Sequence, residues 1–572
     1  MTFAFCVRVA AQRTPVVERT VALLSREITA RSGMPVKEID DGAANLILDI
    51  QAGIGSEGFS IADGPQGAVA LTGNDERGLL YGIGRFLRDA DCAPGSFRPG
   101  GWRGSSVPSK PVRGVYFATH FFNFYHTAPL AEIERYVEDL ALWGCNAISV
   151  WFDMHQFAGI HDPAAQGMIE RLRAILMAAR RLGLGTSIGA LGNEAYADSP
   201  AELRADPNTG RAHYGVELCP SKPGAPELVL RWIEEKIEAF ADIGIDYLWA
   251  WPYDQGGCAC ERCRPWGANG YLRMAREISR IFKRRVPDGK FVVSTWLFDY
   301  GKPQGEWEGF SKALAADHGW LDYVLADTHD AGIPDYPLRH GAPGGLPLLN
   351  FPEISMFEML PWGGFGANPM PDKLQRMMDR AAPVIAGGFM YSEGIYEDLN
   401  KVAVLQLYWD PARRAGDIVR EYAAWEFGRD VADDVTQAVA IMERNHGMDT
   451  LWISGSHRVG AYGFPVTLKD KSPYEFRYQI LNECAGTDEC EAFVKRADAR
   501  LPEARRSAWR WRILYIRAAL DAALAREGLS PSPVLDPYFE ELEARYHVEP
   551  GTVPFLIPPS RRMLSRMVRA KE

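Results

Sequence analysis

The chain lacks the marks of several protein classes. No apolar run is long enough to span a bilayer as a helix. Positive charge is not in excess: 63 Lys and Arg stand against 74 Asp and Glu, and the net charge of −11 argues against a nucleic-acid partner. The nine cysteines are odd in number and unevenly placed, which fits a reducing compartment better than a disulfide framework. The opening MTFAFCVRVAA is short and only mildly apolar, without the longer core and small-residue cleavage site of a secretory leader. A cytoplasmic protein with no membrane partner is therefore expected. Solenoid repeats and low-complexity tracts are also missing.

What remains is a long chain of ordinary globular composition. Its 572 residues, 47% apolar and 24% charged, exceed one domain and predict two or three. Aromatics are plentiful at 11%, with 16 Trp, more than core packing alone calls for. Residues 1–108 read as a small α/β unit. Strands are expected at 3–9, 45–50 and 68–71, helices from about 16 to 28 and over 77–88, and a Gly- and Pro-rich linker over 94–111. From residue 112 strands and helices alternate. Strands are expected at 113–118, 147–152, 185–190, 247–251, 291–296, 323–326, 347–350 and 384–391. Helices fall between most of them, at 130–142, 166–182, 226–243, 270–285 and 372–381. Eight such units predict an α/β fold of the (β/α)8 TIM-barrel type over 109–408, followed by a helical region over 409–572. The basic tail, Arg561, Arg562, Arg566, Arg569 and Lys571, suits solvent or a subunit contact better than a membrane. Homo-oligomers through the C-terminal helices fit that pattern.

Four of the expected strands end in aromatic–carboxylate clusters: Val150-Trp151-Phe152-Asp153, Trp249-Ala250-Trp251-Pro252-Tyr253-Asp254, Trp296-Leu297-Phe298-Asp299 and Phe389-Met390-Tyr391-Ser392-Glu393. A barrel would gather these at the rim where its C-terminal strand ends meet. Aromatic faces can stack on sugar rings, and paired carboxylates cleave glycosidic bonds. Asp254 is the expected general acid, since Trp251 and Tyr253 would desolvate it. Glu353, at the seventh strand end, and Glu393, at the eighth, are equal candidates for the opposing carboxylate. The Gly-rich stretch 361–369 is suited to closing over a ligand. Candidate contacts to sugar are His120, Asp153, Asn193, Glu194, Tyr196, Asp327 and His329, with Trp151, Trp251, Tyr253, Trp296, Trp362 and Tyr391 as aromatic walls. Each also has an ordinary reading as a loop-structuring or core residue.

Cys258, Cys260 and Cys263 place three thiols within six residues, and Cys219 or a histidine is available as a fourth ligand. Such a set suggests a structural zinc ion. No open set of two histidines and a carboxylate accompanies it, so no catalytic metal and no cofactor for the chemistry is expected.

The stretch from Thr72 to Arg88, TGNDERGLLYGIGRFLR, resembles the end of the small domain that precedes the barrel in hexosaminidase-like and α-glucuronidase-like glycosidases. Trp409-Asp410-Pro411, Ile418 and Trp425-Glu426-Phe427-Gly428 are similar to the helical part of the α-glucuronidases. Cys258-Ala259-Cys260-Glu261-Arg262-Cys263 resembles a glycosidase-like family, some members of which act on N-acetylglucosamine linkages. The resemblance covers most of the chain as domain order and short motifs. It implies a small α/β domain, a catalytic barrel and a helical region, and a hydrolase that acts on an oligosaccharide. The hexosaminidases carry an Asp-Glu pair after the fourth strand, where this chain has Asp254-Gln255, so their substrate-assisted pair does not carry over.

The expected function is an exo-acting glycoside hydrolase on an oligosaccharide bearing a uronic acid or N-acetylhexosamine unit. A lyase or isomerase using His120 or His329 as base, and a non-catalytic sugar-binding protein, are the competing classes.

Overall fold

The computed structural model describes residues 4–120, 123–207, 214–253, 256–299, 304–326, 332–354, 366–445, 485–527 and 533–547. Asp254, Asp327, His329, Trp362, the stretch 361–365 and the basic tail fall outside them.

Eight short strands precede the barrel: β1 (Phe5–Val9), β2 (Val36–Glu38), β3 (Leu46–Ile50), β4 (Phe59–Asp63), β5 (Val69–Gly73), β6 (Asp91–Ala93), β7 (Ser96–Arg98) and β8 (Gly104–Ser106). Six of them form one sheet in the order β2-β1-β3-β5-β4-β8, parallel as far as β5 and antiparallel beyond. The stretch expected as a linker therefore contributes β7 and β8, and β8 completes the sheet. Alternation does the work in β4: Phe59 and Ile61 point into the core while Ser60 and Ala62 point away. Helix Pro15–Ser32 starts where Thr14 accepts from the Val17 amide, and it ends at Gly33 in the left-handed region.

The TGNDERGLLYGIGRFLR stretch becomes β5 and helix Glu76–Asp89, capped by the Asp75 carboxylate on the Gly78 amide at 2.8 Å. Its glycines permit close approach. A Cβ at Gly78 would lie 2.1 Å from the Gly58 carbonyl oxygen, and one at Gly84 would lie 2.2 Å from that of Leu142. Gly84 thereby seats this helix against barrel helix Leu130–Leu142.

The barrel closes from β9 (Val112–Phe117), β10 (Ala147–Trp151), β11 (Gly185–Leu191), β12 (Tyr247–Trp251), β13 (Lys290–Ser294), β14 (Tyr323–Leu325), β15 (Leu348–Asn350) and β16 (Ile385–Ser392), all parallel in chain order. All eight expected barrel strands are present. Nearly every residue in them is buried, as expected for strands covered by helices outside and side chains inside. Large rings fill the interior where neighbouring strands carry glycine. A Cβ at Gly114 would meet the Phe389 ring at 2.1 Å, and one at Gly189 the Trp151 ring at 2.5 Å.

Helical segments follow from Ala415 onward: Ala415–Glu426, Ala432–Arg444, Thr487–Asp498, Trp509–Glu527 and Asp536–Arg545. Arg510 fastens them to the barrel, pairing with Asp398 at 2.8 Å and Asp139 at 2.9 Å. Among the described residues, no helix is long and apolar enough to cross a membrane.

The floor of the barrel is a charged lattice. Arg113, fully buried in β9, meets Glu57 of the N-terminal domain at 2.5 Å, and Arg77 meets the same carboxylate at 2.7 Å. Asn146 donates to Glu57 at 3.2 Å and accepts from the Arg113 amide at 2.8 Å. Every partner in this set is supplied by the protein itself.

Candidate active site

The opposite end of the barrel is aromatic. Trp251 lies at the centre, with ring centroids 6.2 Å from Trp151, 5.7 Å from Trp296 and 5.1 Å from Phe351. Phe351 continues to Tyr391 at 6.0 Å and to Tyr116 at 5.9 Å. His120 sits 5.5 Å from Trp151 and 6.3 Å from Tyr391, with its Nδ1 hydrogen-bonded to the Tyr116 hydroxyl. The strand ends of β9, β10, β12, β13, β15 and β16 thus bring Tyr116, His120, Trp151, Trp251, Trp296, Phe351 and Tyr391 into one continuous wall. Tyr116 and Phe351 were not singled out from the sequence, because an aromatic inside a strand reads as core.

Two acidic residues neighbour Tyr391 in that wall. Tyr391 donates its hydroxyl to Glu393 Oε1 at 2.6 Å. Beyond the end of β15, Glu353 bridges to Tyr391 in parallel fashion, and the Tyr391 amide donates to the Pro352 carbonyl at 2.9 Å. Glu353 and Glu393 thus neighbour one tyrosine at adjacent strand ends, each only 4% exposed. The C-terminal helical region reaches this point: Tyr546 donates its hydroxyl to the Glu393 carbonyl at 2.6 Å and packs on Tyr396 and Phe124. Nothing in the local sequence marks Tyr546, which lies 153 residues from its partner.

A second group gathers beyond β10. Asp153 hydrogen-bonds His155 Nδ1 and accepts from the Tyr214 hydroxyl at 3.3 Å, and the His155 and Tyr214 rings stack. Asp153 is thereby placed to orient His155.

Other sequence candidates engage the protein. Glu194 is buried against Lys236 at 2.7 Å and accepts from the Met154 and Leu191 amides, both at 3.1 Å, and from Trp151 Nε1 at 3.3 Å. Burial pushes this carboxyl above its ordinary range while Lys236 pulls it back, and burial likewise lowers the Lys236 ammonium against the pull of Glu194. Its visible role is to hold Trp151. Asn193 donates to the Leu218 carbonyl at 2.9 Å and the Gly257 carbonyl at 3.0 Å, and accepts from the Gly257 amide at 3.0 Å. Tyr196 packs edge-on against Trp232. The Tyr253 hydroxyl goes to Glu306, a buried carboxylate that also accepts from the Gly267 and Asp299 amides, each at 2.9 Å. Asp299 itself caps helix Glu306–Ala316 through the amides of Glu306 and Trp307, both at 3.1 Å. Leu297 and Asp299 both adopt left-handed backbone, at φ 57° and 54°. Such strain collects at functional loops, and here it turns the chain just past Trp296.

The four thiols come together. Cys219, Cys258, Cys260 and Cys263 have their sulfurs within 4.8 Å of one another, with Cys219 3.7 Å from Cys260 and 3.9 Å from Cys263. These separations are far beyond a disulfide bond. A tetrahedral site with metal–sulfur bonds of about 2.3 Å has sulfur–sulfur edges of about 3.8 Å, so the donor set suits a zinc ion. Ser221 Oγ stands 3.1 Å from the Cys263 sulfur, and Arg273 donates to Ser221 at 3.1 Å, an outer layer of the kind that orients ligands.

Comparison with solved structures gives the architecture a context. The chain aligns with BtGH115A, a family GH115 4-O-methyl-α-glucuronidase with specificity for decorated arabinogalactans, at a TM-score of 0.61 and 14% identity, over 97% of this chain and 78% of that one. It aligns with a GH138 enzyme targeting pectin rhamnogalacturonan II at 0.59 and 13% identity, over 95% and 71%. The GH20 β-N-acetylhexosaminidase of Streptomyces coelicolor A3(2) follows at 0.51 and 14% identity, over 76% and 90%. No protein-family model matches the sequence. No curated protein matches it either. At these identities the likeness defines the fold: a TIM barrel of the kind found in GH115 and GH20 glycoside hydrolases, with an N-terminal α/β sheet and a C-terminal helical region. The resemblance expected from the Thr72–Arg88 stretch and the Trp409 and Trp425 motifs holds at that level.

Proposed function

We propose that the protein is a glycoside hydrolase that cleaves a terminal sugar from an oligosaccharide, with a uronic acid or an N-acetylhexosamine as the sugar class. The observation that carries this reading is that Glu353, bridged backbone to backbone with Tyr391, and Glu393, which accepts the Tyr391 hydroxyl, both stand at the C-terminal rim beside a wall of aromatic rings. Solved enzymes of the same fold support it, since their described substrates are decorated arabinogalactans and pectin, and the third is a hexosaminidase. In this reading Asp254 protonates the leaving oxygen, and Glu353 or Glu393 attacks the anomeric carbon or activates water. The aromatic wall excludes water and holds the ring. His120 and Asp153, with Asp327 and His329, hydrogen-bond sugar hydroxyls. The reaction draws on no metal or cofactor, and the four thiols bind zinc for structure.

The test is a panel of aryl glycosides, including 4-nitrophenyl glucuronides and N-acetylhexosaminides, assayed with purified protein. Release of nitrophenol from one of these, lost in Glu353→Gln or Glu393→Gln, is the expected result. A wild-type protein inert across the panel and across arabinogalactan and pectin oligosaccharides would overturn the proposal.

A further inference from the structure

The segment that carries Glu393 out of β16 is held by a buried ion pair. Glu397, at the N-terminal cap of helix Asp398–Trp409, and Lys401, one turn further on, meet at 3.0 Å and are 3% and 0% exposed. The protons of the Lys401 ammonium go to Glu397 Oε1, to the Gly394 carbonyl at 2.6 Å and to the Tyr136 hydroxyl at 2.9 Å. Glu397 Oε1 also accepts from the Gly394 amide at 2.9 Å and from the Ser392 hydroxyl at 2.8 Å. The Tyr125 hydroxyl meets that of Ser392 at 2.5 Å, and its ring stacks on Phe117 of β9. The carbonyl of Ser392 accepts from the Ala118 amide at 2.8 Å, and that of Glu393 from the Tyr546 hydroxyl. Gly394 has to be glycine for this packing: a Cβ there would lie 2.6 Å from the Tyr546 hydroxyl and 2.8 Å from the Phe124 Cβ. Both neighbours of Glu393 are thus fixed from β9, from barrel helix Leu130–Leu142 through Tyr136 and from helix Asp398–Trp409. A buried ion pair need not stabilise a fold more than apolar residues of the same volume. What this one secures is the backbone direction on either side of Glu393, and all three Lys401 protons are used inside the protein. Lys401 therefore has no donor to offer a sugar and can act on one only through Glu393.

We propose that Lys401 and Glu397 are positioning residues for Glu393: their ion pair, acting through Ser392 and Gly394, sets the direction in which the Glu393 carboxylate meets the sugar. The inference rests on the hydrolase reading above. An acting group performs well only when the shell behind it is locked, and here that shell is charged, buried and shared by several elements. Glu353 reaches the rim on a separate segment, beyond β15. Loosening the clamp therefore acts on one carboxylate and spares the other.

The test is a double-mutant cycle on the full chain. Glu397→Gln combined with Lys401→Met removes both charges at once and leaves the Ser392 and Gly394 donors an acceptor. On a glycoside that the wild type cleaves, kcat/KM of this paired variant should fall by at least about tenfold, because a small misplacement of an acting group costs that much. Denaturant unfolding should show it folded. Introduced into Glu393→Gln, the same pair of changes should cost less than about twofold, since the carboxylate it directs is already gone; introduced into Glu353→Gln, it should again cost about tenfold. A pair that only braces the fold would lower all three backgrounds by one factor. That result overturns the proposal, as does an unchanged rate in the wild-type background. Where Glu393→Gln or Glu353→Gln turns over too slowly to follow, the cycle is read in the Kd of the monosaccharide product by calorimetry, and the same dependence on background is required. Should the paired variant fail to fold, Ser392→Ala, which takes away only the hydroxyl between Tyr125 and Glu397, must show that dependence instead. Protein inert on every glycoside removes the hydrolase reading and this proposal with it. Active protein with an additive cycle removes this proposal alone.

Discussion

The two ends of the barrel both bury carboxylates, and they treat them differently. At the floor, Glu57 is enclosed by Arg77, Arg113 and Asn146, so its charge is matched by groups that other parts of the fold supply. At the rim, Glu353 and Glu393 stand beside Tyr391 in a wall of rings, next to His120 and Trp251. Glu194 shows the floor's logic applied near the rim, with Lys236 as its cation. The Glu57 set with its cations reads as structure, and the proposed chemistry falls on the pair at the aromatic strand ends.

The largest expected effect separates these ends by activity. Glu353→Gln or Glu393→Gln, whichever is the second catalytic carboxylate, should lower kcat/KM by about 10³-fold or more, with thermal unfolding little changed. Arg113→Met should do the reverse. It strands Glu57 without its buried partner, a loss of about 3–5 kcal/mol, and denaturant unfolding should register it while the rate per folded molecule holds. A large activity loss in Arg113→Met at full folding would break the division between the two ends.

A third prediction uses pH. Glu421 joins Arg88 of the N-terminal domain and Arg413 near the helical region, at 2.8 and 2.6 Å. Burial raises its carboxyl, but Arg88, Arg413 and Arg85 overcome that and hold it at about 2, against an ordinary 4.5. Because the folded value is depressed, the stabilisation is full above pH 4.5 and disappears as pH falls from 4.5 toward 2. It is on the order of 3 kcal/mol. Unfolding curves of Glu421→Gln should be lower than wild type at pH 7 and converge with it near pH 2. A constant gap across that window would contradict the pairing.

The smallest effect sharpens the rim. Tyr546→Phe removes one hydrogen bond to the Glu393 carbonyl, worth about 1 kcal/mol, or about fivefold in rate if the loss falls on the transition state. An unchanged kcat would mean that the C-terminal helices brace the barrel without tuning it.

The barrel was legible because its signal is local and repeated. Each strand is a short apolar run between helical patterns, and all eight appear within a few residues of where periodicity puts them. The small strands β2, β7 and β8 were not legible, since three-residue strands at a sheet edge carry too little pattern. β4 was legible in principle through the alternation of Phe59 and Ile61. The rim candidates Trp151, Trp251, Trp296, Tyr391, Glu353 and Glu393 could be named because they close their strands. The residues that meet Glu393 and Asp153 could not, since Tyr546, at the end of helix Asp536–Arg545, and Tyr214 come from far along the chain. Lys236 did leave a signal: it lies on the apolar stripe of helix Ala225–Glu238, beside Ile233 and Ile237, where a cation must have a buried anion. Arg113, inside an apolar strand, left the same one. The three thiols gathered as their spacing suggested, and the Cys219 sulfur lies with them.

The central claim is that carboxylates at the C-terminal rim cleave a glycosidic bond. Its most direct test is the rate of Asp254→Asn, Glu353→Gln and Glu393→Gln on a matched pair of glycosides, one with a poor and one with an activated leaving group. Asp254→Asn should collapse on the first and retain most of its rate on the second, while one of the two glutamine variants loses both. Near wild-type rates for Asp254→Asn on the poor leaving group, or full activity in both glutamine variants, would contradict the account.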